Sequence, residues 1–274
     1  AFGSDGFTTT DGSGSPNYYF NENTKNFVAW NWKAGGTAAS NGDGTITSSV
    51  SANPTAGFSI GTFTTDSTTG NATIGHGLSQ APELILEKNL SAAYNWDVYQ
   101  ETATPSGVGR LVLNTDAAVA AVNPFGSVAP TSSVWTYSQL YNGTIGHNIV
   151  AYCFHSIEGY SKVGSYVGNG ATDGPFTYTG FKPAFVLVKN KTASAYWWII
   201  DSARDPFNVA NHLLYPNGTN TEAVASYTPL DIVSNGFKSR IPSGDGNEGT
   251  FNTSGQTYIY YAIAESPFKT SNAR

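Results

Sequence analysis

The chain has 274 residues, a formal net charge of −6 and only 12% charged residues. Nucleic acids and anionic membranes bind clustered lysine and arginine side chains, whereas the 13 basic residues here are scattered along the chain. We therefore expect neither a nucleic-acid nor a membrane partner. The single cysteine, Cys153, excludes an intrachain disulfide, and its apolar sequence neighbours favour a buried side chain over a reactive thiol.

The first 33 residues resemble the end of a β unit whose beginning is absent. The alternating stretch 27–32 (FVAWNW) matches residues 258–263 (YIYYAI) near the C-terminus. A lone terminal strand cannot bury its apolar face, so we expect it to pack on the following domain, on upstream chain or on a neighbouring subunit. In the last case it would complete the neighbour's sheet by strand addition. The residues of this predicted assembly strand are Phe27, Val28, Trp30 and Trp32.

Residues 34–56 are rich in Gly, Ser, Thr and Asn, and this composition predicts a linker. Within it, residues 41–44 (NGDG) are typical of a turn. A calcium loop is the alternative, but the spaced oxygen ligands and closing glutamate of an EF-hand are missing.

Two β units follow at residues 57–155 and 159–265, and residues 266–274 form a C-terminal tail. Short alternating stretches rich in β-branched and aromatic residues predict the strands of both units. In the first unit these are 58–63, 83–87, 96–100, 110–113, 134–137 and 149–154. In the second unit they are 160–166, 184–188, 197–201, 212–215, 236–239 and 258–263. Residues 117–121 and 203–210 are candidates for short helices.

An internal match links the two units. Residues 82–99 (PELILEKNLSAAYNWDVY) align without a gap to residues 183–200 (PAFVLVKNKTASAYWWII). A period near 100 residues is too long for a solenoid repeat. The fold class that we predict is therefore all-β, with two tandem, internally repeated β-sandwich units of jelly-roll-like type. The residues that the match leaves identical are Pro82/Pro183, Leu86/Leu187, Lys88/Lys189, Asn89/Asn190, Ala92/Ala193 and Trp96/Trp197.

Candidate catalytic groups do not form a recognisable motif. The histidines His76, His147, His155 and His212 lack any compact metal-ligand spacing. Asp97 and Glu101 would share a strand face about 13 Å apart, which is too far for a glycosidase pair. We expect a non-enzymatic protein without catalytic residues, metal or cofactor.

Aromatic residues give the best indication of a binding surface. Trp96 and Trp197 occupy matched positions, which favours a core role for both. Trp198 replaces Asp97 of the first unit and must point to the opposite face from Trp197, so we predict an exposed or interfacial Trp198. Flat exposed aromatics stack on a partner protein or on sugar rings, and subunit packing is the favoured alternative. The predicted binding or interface residues are Trp198, Tyr196, Asn169 and Asp173.

Several motifs of the chain resemble a β-rich domain of uncharacterised bacteriophage virion proteins, which is frequent at the C-terminal end of long tail-fibre-like proteins of marine phages. The resemblance covers nearly the whole chain and implies a virion location, but it supplies no catalytic site. The stretches that carry it are 28–36 (VAWNWKAGG), 150–154 (VAYCF), 158–162 (EGYSK), 164–170 (GSYVGNG), 173–176 (DGPF), 180–185 (GFKPAF), 203–206 (ARDP), 258–260 (YIY), 264–269 (AESPFK) and 272–274 (NAR).

These observations favour a structural protein of the virion surface, such as a tail fibre, head fibre or capsid decoration. Its expected partners are other virion proteins and further copies of itself, as a homo-oligomer. A second hypothesis is a host-receptor or polysaccharide-binding module of a phage appendage. A polysaccharide depolymerase ranks third, because the sequence lacks an acid/base signature.

Overall fold

The computed structural model describes residues 6–9, 26–67, 70–139, 144–225, 229–240 and 251–267. The chain divides into two compact units, Ala1–Trp32 and Lys33–Arg274. In the first unit, residues 26–32 belong to no strand, so the strand predicted at 27–32 is not formed within the single chain. A strand needs a hydrogen-bonded neighbour. Its role as an assembly strand stays a prediction.

The second unit contains two β-sandwiches in succession. In the first sandwich, seven strands form a sheet in the order β1-β2-β3-β9-β5-β6-β7, and β4 pairs with β8 in a separate two-stranded sheet that covers one face. The strands are β1 Ala39–Asn41, β2 Ser48–Asn53, β3 Phe58–Thr64, β4 Asn71–Gly75, β5 Leu84–Asn89, β6 Trp96–Gln100, β7 Leu111–Val112, β8 Val134–Ser138 and β9 Asn148–Phe154.

The second sandwich contains a four-stranded sheet in the order β10-β18-β12-β13 and a three-stranded sheet in the order β11-β17-β16, with a separate β14–β15 pair. The strands are β10 Ser161–Val167, β11 Phe176–Tyr178, β12 Pro183–Asn190, β13 Trp197–Asp201, β14 His212–Leu213, β15 Ala223–Val224, β16 Leu230–Val233, β17 Gly236–Ser239 and β18 Thr257–Ala264. The protein is therefore all-β, as the sequence predicts.

The pairing order and register of the first sandwich occur again in the second. The order β3-β9-β5-β6 corresponds to β10-β18-β12-β13. Leu86 lies opposite Val98 and Tyr152, and its counterpart Leu187 lies opposite Ile199 and Tyr261. A slip of one residue would turn every side chain to the other face, so the matched register puts equivalent residues on equivalent faces.

Each sandwich has its own apolar core between its sheets. The first core includes Phe63, Ile74, Ile85 and Trp135, and the second includes Val186, Ile200, Phe237 and Tyr258. Cys153 is fully buried in the first core, and burial raises the pKa of its thiol. A buried thiol with a raised pKa is inert, in agreement with the predicted structural role.

The Lys-Asn pair shared by the two units has a structural cause. The Oδ1 atom of Asn89 accepts from the backbone N–H groups of Ser91 and Ala92, at 2.9 and 3.0 Å. Asn190 does the same for the two residues that follow Lys191, at 2.9 and 3.1 Å. The preceding lysine, Lys88 or Lys189, donates to a backbone carbonyl at the far end of the same loop. The pair therefore closes the loop between two strands of each sandwich.

The two sandwiches contact each other directly. The indole Nε1 of Trp197 donates to the carbonyl oxygen of Val112 at 2.8 Å, and Lys191 Nζ donates to that of Thr102 at 2.8 Å. The rings of Phe154 and Tyr261 lie 5.0 Å apart. Residues 33–274 thus form one block rather than two independent domains.

Two predictions about local structure are wrong. The predicted linker at 34–56 contains β1 and β2, which extend the first sheet. Strand pairing there overrides a composition that is typical of a loop, because hydroxyl side chains suit a half-exposed edge. The two candidate helices, 117–121 and 203–210, are loops. Residues 266–267 are described and form no strand, and the rest of the predicted tail lies outside the described residues.

Candidate functional site

The outer edge of the first sandwich's main sheet is covered by a strand. β3 pairs with β9 on one side and with β2 on the other, where Ser49 lies opposite Thr62 and Asn53 lies opposite Phe58. β10 is the counterpart of β3, but it is the last strand of its sheet and pairs only with β18 among the described strands. The same edge is therefore covered in the first sandwich and open in the second.

Part of the β10 edge is bonded to its own preceding loop. Ile157 forms a bridge with Ser161, and the N–H of Val163 donates to Ser156 Oγ at 3.0 Å. Gly168 N–H donates to Gln256 O on the β18 side, and antiparallel bonding alternates between the two sides of a strand. The backbone groups of Ser165 and Val167 therefore point away from β18, toward the open side.

The second, smaller sheet of each sandwich shows the same difference between a covered and an uncovered edge. In the first sandwich, residues 45–48 lie along β4: Ile46 N–H donates to Thr73 O at 3.1 Å, and Ser48 Oγ donates to Gly75 O at 2.7 Å. The counterpart of β4 is β11, an edge strand whose only described partner is β17. Matched register places Phe176 and Tyr178 at the positions of Thr73 and Gly75. Both aromatics are exposed, at 49% and 65%.

We call four exposed residues of these two edge strands the open edge: Ser165 and Val167 of β10, and Phe176 and Tyr178 of β11. Thr177 between the two aromatics is buried, because alternate residues of a strand point to opposite faces. Val167 is 56% exposed. The open edge thus combines unpaired backbone groups with apolar side chains that face solvent, which is the surface that an added strand covers.

A charged rim borders the open edge. Lys238, opposite Phe176, forms an ion pair with Asp173, and Arg240 bridges toward Asp173 and Asp231 at 3.7 and 3.5 Å. The hydrogen bond from Lys238 lowers the pKa of the exposed Asp173 carboxyl. Asn169 Nδ2 donates to the carbonyl oxygen of Asp173 at 3.0 Å. Two of the predicted binding residues, Asn169 and Asp173, therefore lie beside this surface.

The prediction of an exposed Trp198 is wrong. Its side chain is 6% exposed and packs in the second core against Phe251 and Tyr215, with ring centroids 5.5 and 4.7 Å away. The prediction requires one face of the sheet to be exposed to solvent. In the structure both faces are covered, because Trp197 packs toward the first sandwich and Trp198 packs into the core of the second.

Tyr196 is 38% exposed and contacts Trp198 and Tyr215 by its edge. Trp197 is buried as predicted, whereas Trp96 is half-buried and stacks on Tyr152.

Sequence reasoning missed Phe176 and Tyr178. The turn signature 173–175 (DGP) followed by Phe-Thr-Tyr has the period of a half-buried strand. That pattern covers only three residues, and nothing in it shows that the strand lies at an edge.

A buried acidic pair lies in the first sandwich. Glu87 and Asp97 are opposite each other on β5 and β6 and are 3% and 2% exposed. Arg110 Nε donates to Asp97 Oδ1 at 2.6 Å, and Trp135 Nε1 donates to Glu87 Oε2 at 3.3 Å. Burial, with a smaller contribution from Asp97, raises the pKa of Glu87 to about 8. Acidic groups so enclosed are not positioned to meet a polysaccharide.

A second polar cluster lies at the start of the loop after β13. Arg204 Nε pairs with Asp201 at 2.7 Å, and its Nη1 pairs with Glu222 at 2.8 Å. His212 Nδ1 contacts Asp205 Oδ1 at 2.5 Å, and the same carboxylate accepts from His212 N–H. These bonds hold the loop to β14.

The remaining histidines have structural partners. Burial lowers the pKa of His76, whose ring contacts Thr131 O at 3.2 Å. His147 contacts Asn89 at 2.9 Å, and His155 contacts Ser156 O at 3.0 Å.

Across the described part of the chain, no group of three or more His, Cys, Asp or Glu side chains is arranged to hold a metal ion. Among those same residues, no helix is sufficiently long and apolar to span a bilayer.

Two depressions lie on the described surface, one on each sandwich. The larger, of about 560 Å³, lies on the first sandwich and is lined mainly by hydroxyl groups of β2 and β3, with Leu90 and Asn148. The smaller, of about 200 Å³, lies on the second sandwich beside Phe207, which is 83% exposed. Lys182, Ser202 and Asn208 also line it.

Fold and surface together define an all-β protein built from two contacting sandwiches. Among the described strands, the edge of β3 in the first sandwich is covered by β2, and the equivalent edge of β10 in the second has no strand beside it. The chain belongs to the DUF7483 family, a domain of unknown function, whose model matches residues 1–267. No curated protein and no solved structure matches it.

Proposed function

We propose that this chain is a non-enzymatic structural protein of a bacteriophage virion, either a tail or head fibre or a capsid-surface decoration, that works as a homo-oligomer. The open edge carries this proposal. A monomeric protein blunts or covers its sheet edges, since a bare edge recruits other strands. In an assembling protein, the same edge is the means of assembly.

The distribution of charge supports a structural role. The buried ionisable side chains that the structure describes bond to neighbouring loops and strands: Lys189 to the carbonyl oxygens of Asp116 and Ala195, Asp97 to Arg110, and Asp201 to Arg204. Such bonds fix a scaffold. The family resemblance noted above supports a virion location.

The test is to purify particles of a phage that encodes this chain and to analyse them by quantitative mass spectrometry and immunogold labelling. We expect the chain to co-purify with the particles in many copies and to be labelled at their surface. A chain that is found in the lysate but not in the particles would overturn the proposal. Sedimentation of the purified chain tests the homo-oligomer separately.

A second candidate function is recognition of a host-surface glycan. The observation that favours it is the depression beside Phe207, because an exposed aromatic ring next to amide and ammonium groups suits a sugar. Binding of the wild type but not of Phe207→Ala on a glycan array would support it. Tyr196→Ala is the matched control, since Tyr196 is an exposed aromatic of the same sandwich outside this depression.

A depolymerase ranks below both. Incubation of host capsule with the chain, followed by measurement of reducing ends, tests it. Reducing ends that increase with time would overturn the non-enzymatic proposal.

A further inference from the structure

We propose that the outer face of the three-stranded sheet, β11-β17-β16, binds a neutral carbohydrate chain. This inference goes beyond the proposed structural role and does not depend on it. It shares its ligand class with the second candidate function but assigns that class to a different surface. The depression beside Phe207 is lined by residues 182, 202, 205–208 and 232, and none of them belongs to this face.

Side chains of this sheet alternate between the core and solvent. Thr177, Ile232 and Phe237 are buried on the inner side, with Ile232 and Phe237 in the second core. Directly opposite residues of paired strands point to the same side, so the residues between these three share the outer side. We call them the aromatic face, and the register puts Phe176, Lys238 and Asp231 in one row and Tyr178, Gly236 and Val233 in the other.

Two aromatic rings dominate this surface. Phe176 and Tyr178 are 49% and 65% exposed, and two positions along a strand separate them by about 7 Å. A Cβ atom on Gly236 would lie 3.1 Å from Cε2 of Phe176, so an edge of this ring rests on the β17 backbone while about half of the side chain is exposed. Exposed aromatic rings on a firm base suit stacking against the apolar face of a sugar.

Hydrogen-bonding groups lie beside the two rings. The Tyr178 Oη atom forms no hydrogen bond to a described residue, and a phenol both donates and accepts. Lys238 lies opposite Phe176 and Asp231 lies opposite Lys238, and both are half-buried. A stacked sugar would therefore find a donor and an acceptor for its hydroxyl groups within the same rows, which is the combination that fixes a ligand's orientation.

The charges of this surface balance one another. Lys238 pairs with Asp173, and Arg240 lies 3.7 Å from Asp173 and 3.5 Å from Asp231. Each of the two cations thus has a carboxylate partner, and the whole chain carries a net charge of −6. An acidic polysaccharide or a phosphate needs clustered, uncompensated cations. The charge balance therefore favours a neutral carbohydrate.

Binding on this face is compatible with assembly through a sheet edge. Side chains stand roughly perpendicular to a sheet, whereas the backbone N–H and C=O groups of an edge strand lie in its plane. A carbohydrate stacked on Phe176 and Tyr178 would leave the backbone of β11 free. The aromatic face can therefore act in a single chain or in an oligomer.

Binding assays on the full-length chain test this inference. The probes are hexasaccharides of neutral glucose, mannose and galactose on a glycan array, with hexagalacturonic acid as the acidic control. Titration calorimetry then gives the Kd of the neutral probe with the strongest signal. We expect at least one neutral hexasaccharide to bind, and we expect hexagalacturonic acid to bind about tenfold more weakly or not at all.

Substitutions then locate the binding surface. Phe176→Ala and Tyr178→Ala each remove one stacking ring, so each should raise the Kd about tenfold. Both side chains are exposed, so the thermal unfolding midpoint should change little. Phe176→Tyr keeps the ring and should keep the wild-type Kd. Phe207→Ala, at an exposed phenylalanine of the same sandwich outside the aromatic face, is the matched control and should also bind like the wild type.

Other outcomes would overturn the inference. Failure of the wild type to bind any neutral hexasaccharide, or stronger binding of hexagalacturonic acid, would exclude the proposed ligand class. An unchanged Kd in both alanine variants, with a loss in Phe207→Ala, would place the site in the depression. Alanine variants that lose oligomeric mass while the wild type binds no sugar would make this face a contact between copies of the chain. Detection of the chain in virions depends on none of these results, so the two proposals fail separately.

Discussion

Glu87 on β5 and Asp97 on β6 lie directly opposite each other inside the first sandwich, and both side chains are buried. The counterpart pair in the second sandwich is Val188 and Trp198, which lie opposite each other in an apolar core. The same register therefore accepts either a charged or an apolar pair. The acidic pair is a property of the first sandwich and is not required by the fold. Its effect on the free energy of unfolding can therefore be measured by substitution.

The first prediction concerns the pH dependence of stability. The folded-state pKa of Glu87 is raised from 4.5 to about 8, so the stabilisation by its protonated form is fully present below pH 4.5 and is lost as pH rises through about 8. Asp97, Tyr137 and Cys153 face it from β6, β8 and β9. Glu87→Gln resembles the protonated acid and should become the more stable protein as pH rises, by roughly 3–5 kcal/mol at most.

Denaturant unfolding at a series of pH values from about 5 to about 9 measures this effect. Glu158→Gln, at an exposed glutamate, is the control and should follow the wild-type curve. A constant difference between Glu87→Gln and wild type over the whole range would show that Glu87 does not titrate there.

The second prediction concerns the ion pair of Arg110 with Asp97. Its nitrogen and oxygen are 2.6 Å apart, and both side chains are largely buried. Arg110→Met leaves a buried carboxylate without its counter-charge, which should cost about 3–5 kcal/mol of unfolding free energy. Lys182→Met breaks the exposed pair with Glu265 and should cost less than about 1 kcal/mol. Similar losses in the two variants would contradict the buried character of the Arg110 pair.

The third prediction follows from the burial of Trp198. Trp198→Ala removes an indole that contacts Tyr215 and Phe251, so it should destabilise the protein by about 3–5 kcal/mol. Phe207→Ala, at an 83% exposed side chain, should stay within about 0.5 kcal/mol of wild type. Thermal or denaturant unfolding of the three proteins distinguishes a core position from a surface position. Equal stability of all three would place Trp198 outside the core.

The fourth prediction tests the loop asparagines. Asn89 and Asn190 are buried, and each closes the loop that follows its strand with two hydrogen bonds. Replacing either by alanine removes two hydrogen bonds to N–H groups of exposed or half-buried loop residues, at a cost of about 0.5–1.5 kcal/mol for each bond. The losses should add in the double variant, because the two loops are separate. Asn169→Ala, at an exposed asparagine, is the comparison and should cost less.

Sequence patterns predicted most of the strands in both sandwiches, because alternating apolar residues identify a sheet face without any long-range information. Trp96–Gln100, Trp197–Asp201 and Gly236–Ser239 have the predicted bounds. The patterns do not predict β1, β2, β4, β11, β15 or β16. Each is an edge strand or is rich in hydroxyl or small residues, and such strands depend on a neighbour more than on their own composition.

The candidate site was predicted less well for a related reason. Asn169 and Asp173 do lie beside the open edge, but Trp198 was placed on the surface because a local pattern shows only that neighbouring residues face opposite sides. Whether either side is covered depends on what packs there, and at Trp198 both sides are covered.

The sequence alone determined that this chain is all-β, that Cys153 is a core residue and that residues 82–99 and 183–200 are equivalent, since these follow from local periodicity and direct comparison. Only the tertiary structure decided which edges are covered. Residues 45–53 lie across β3 and β4, and no described strand lies across β10 and β11. That difference arises from backbone pairing between residues far apart in the chain, which side-chain patterns do not encode.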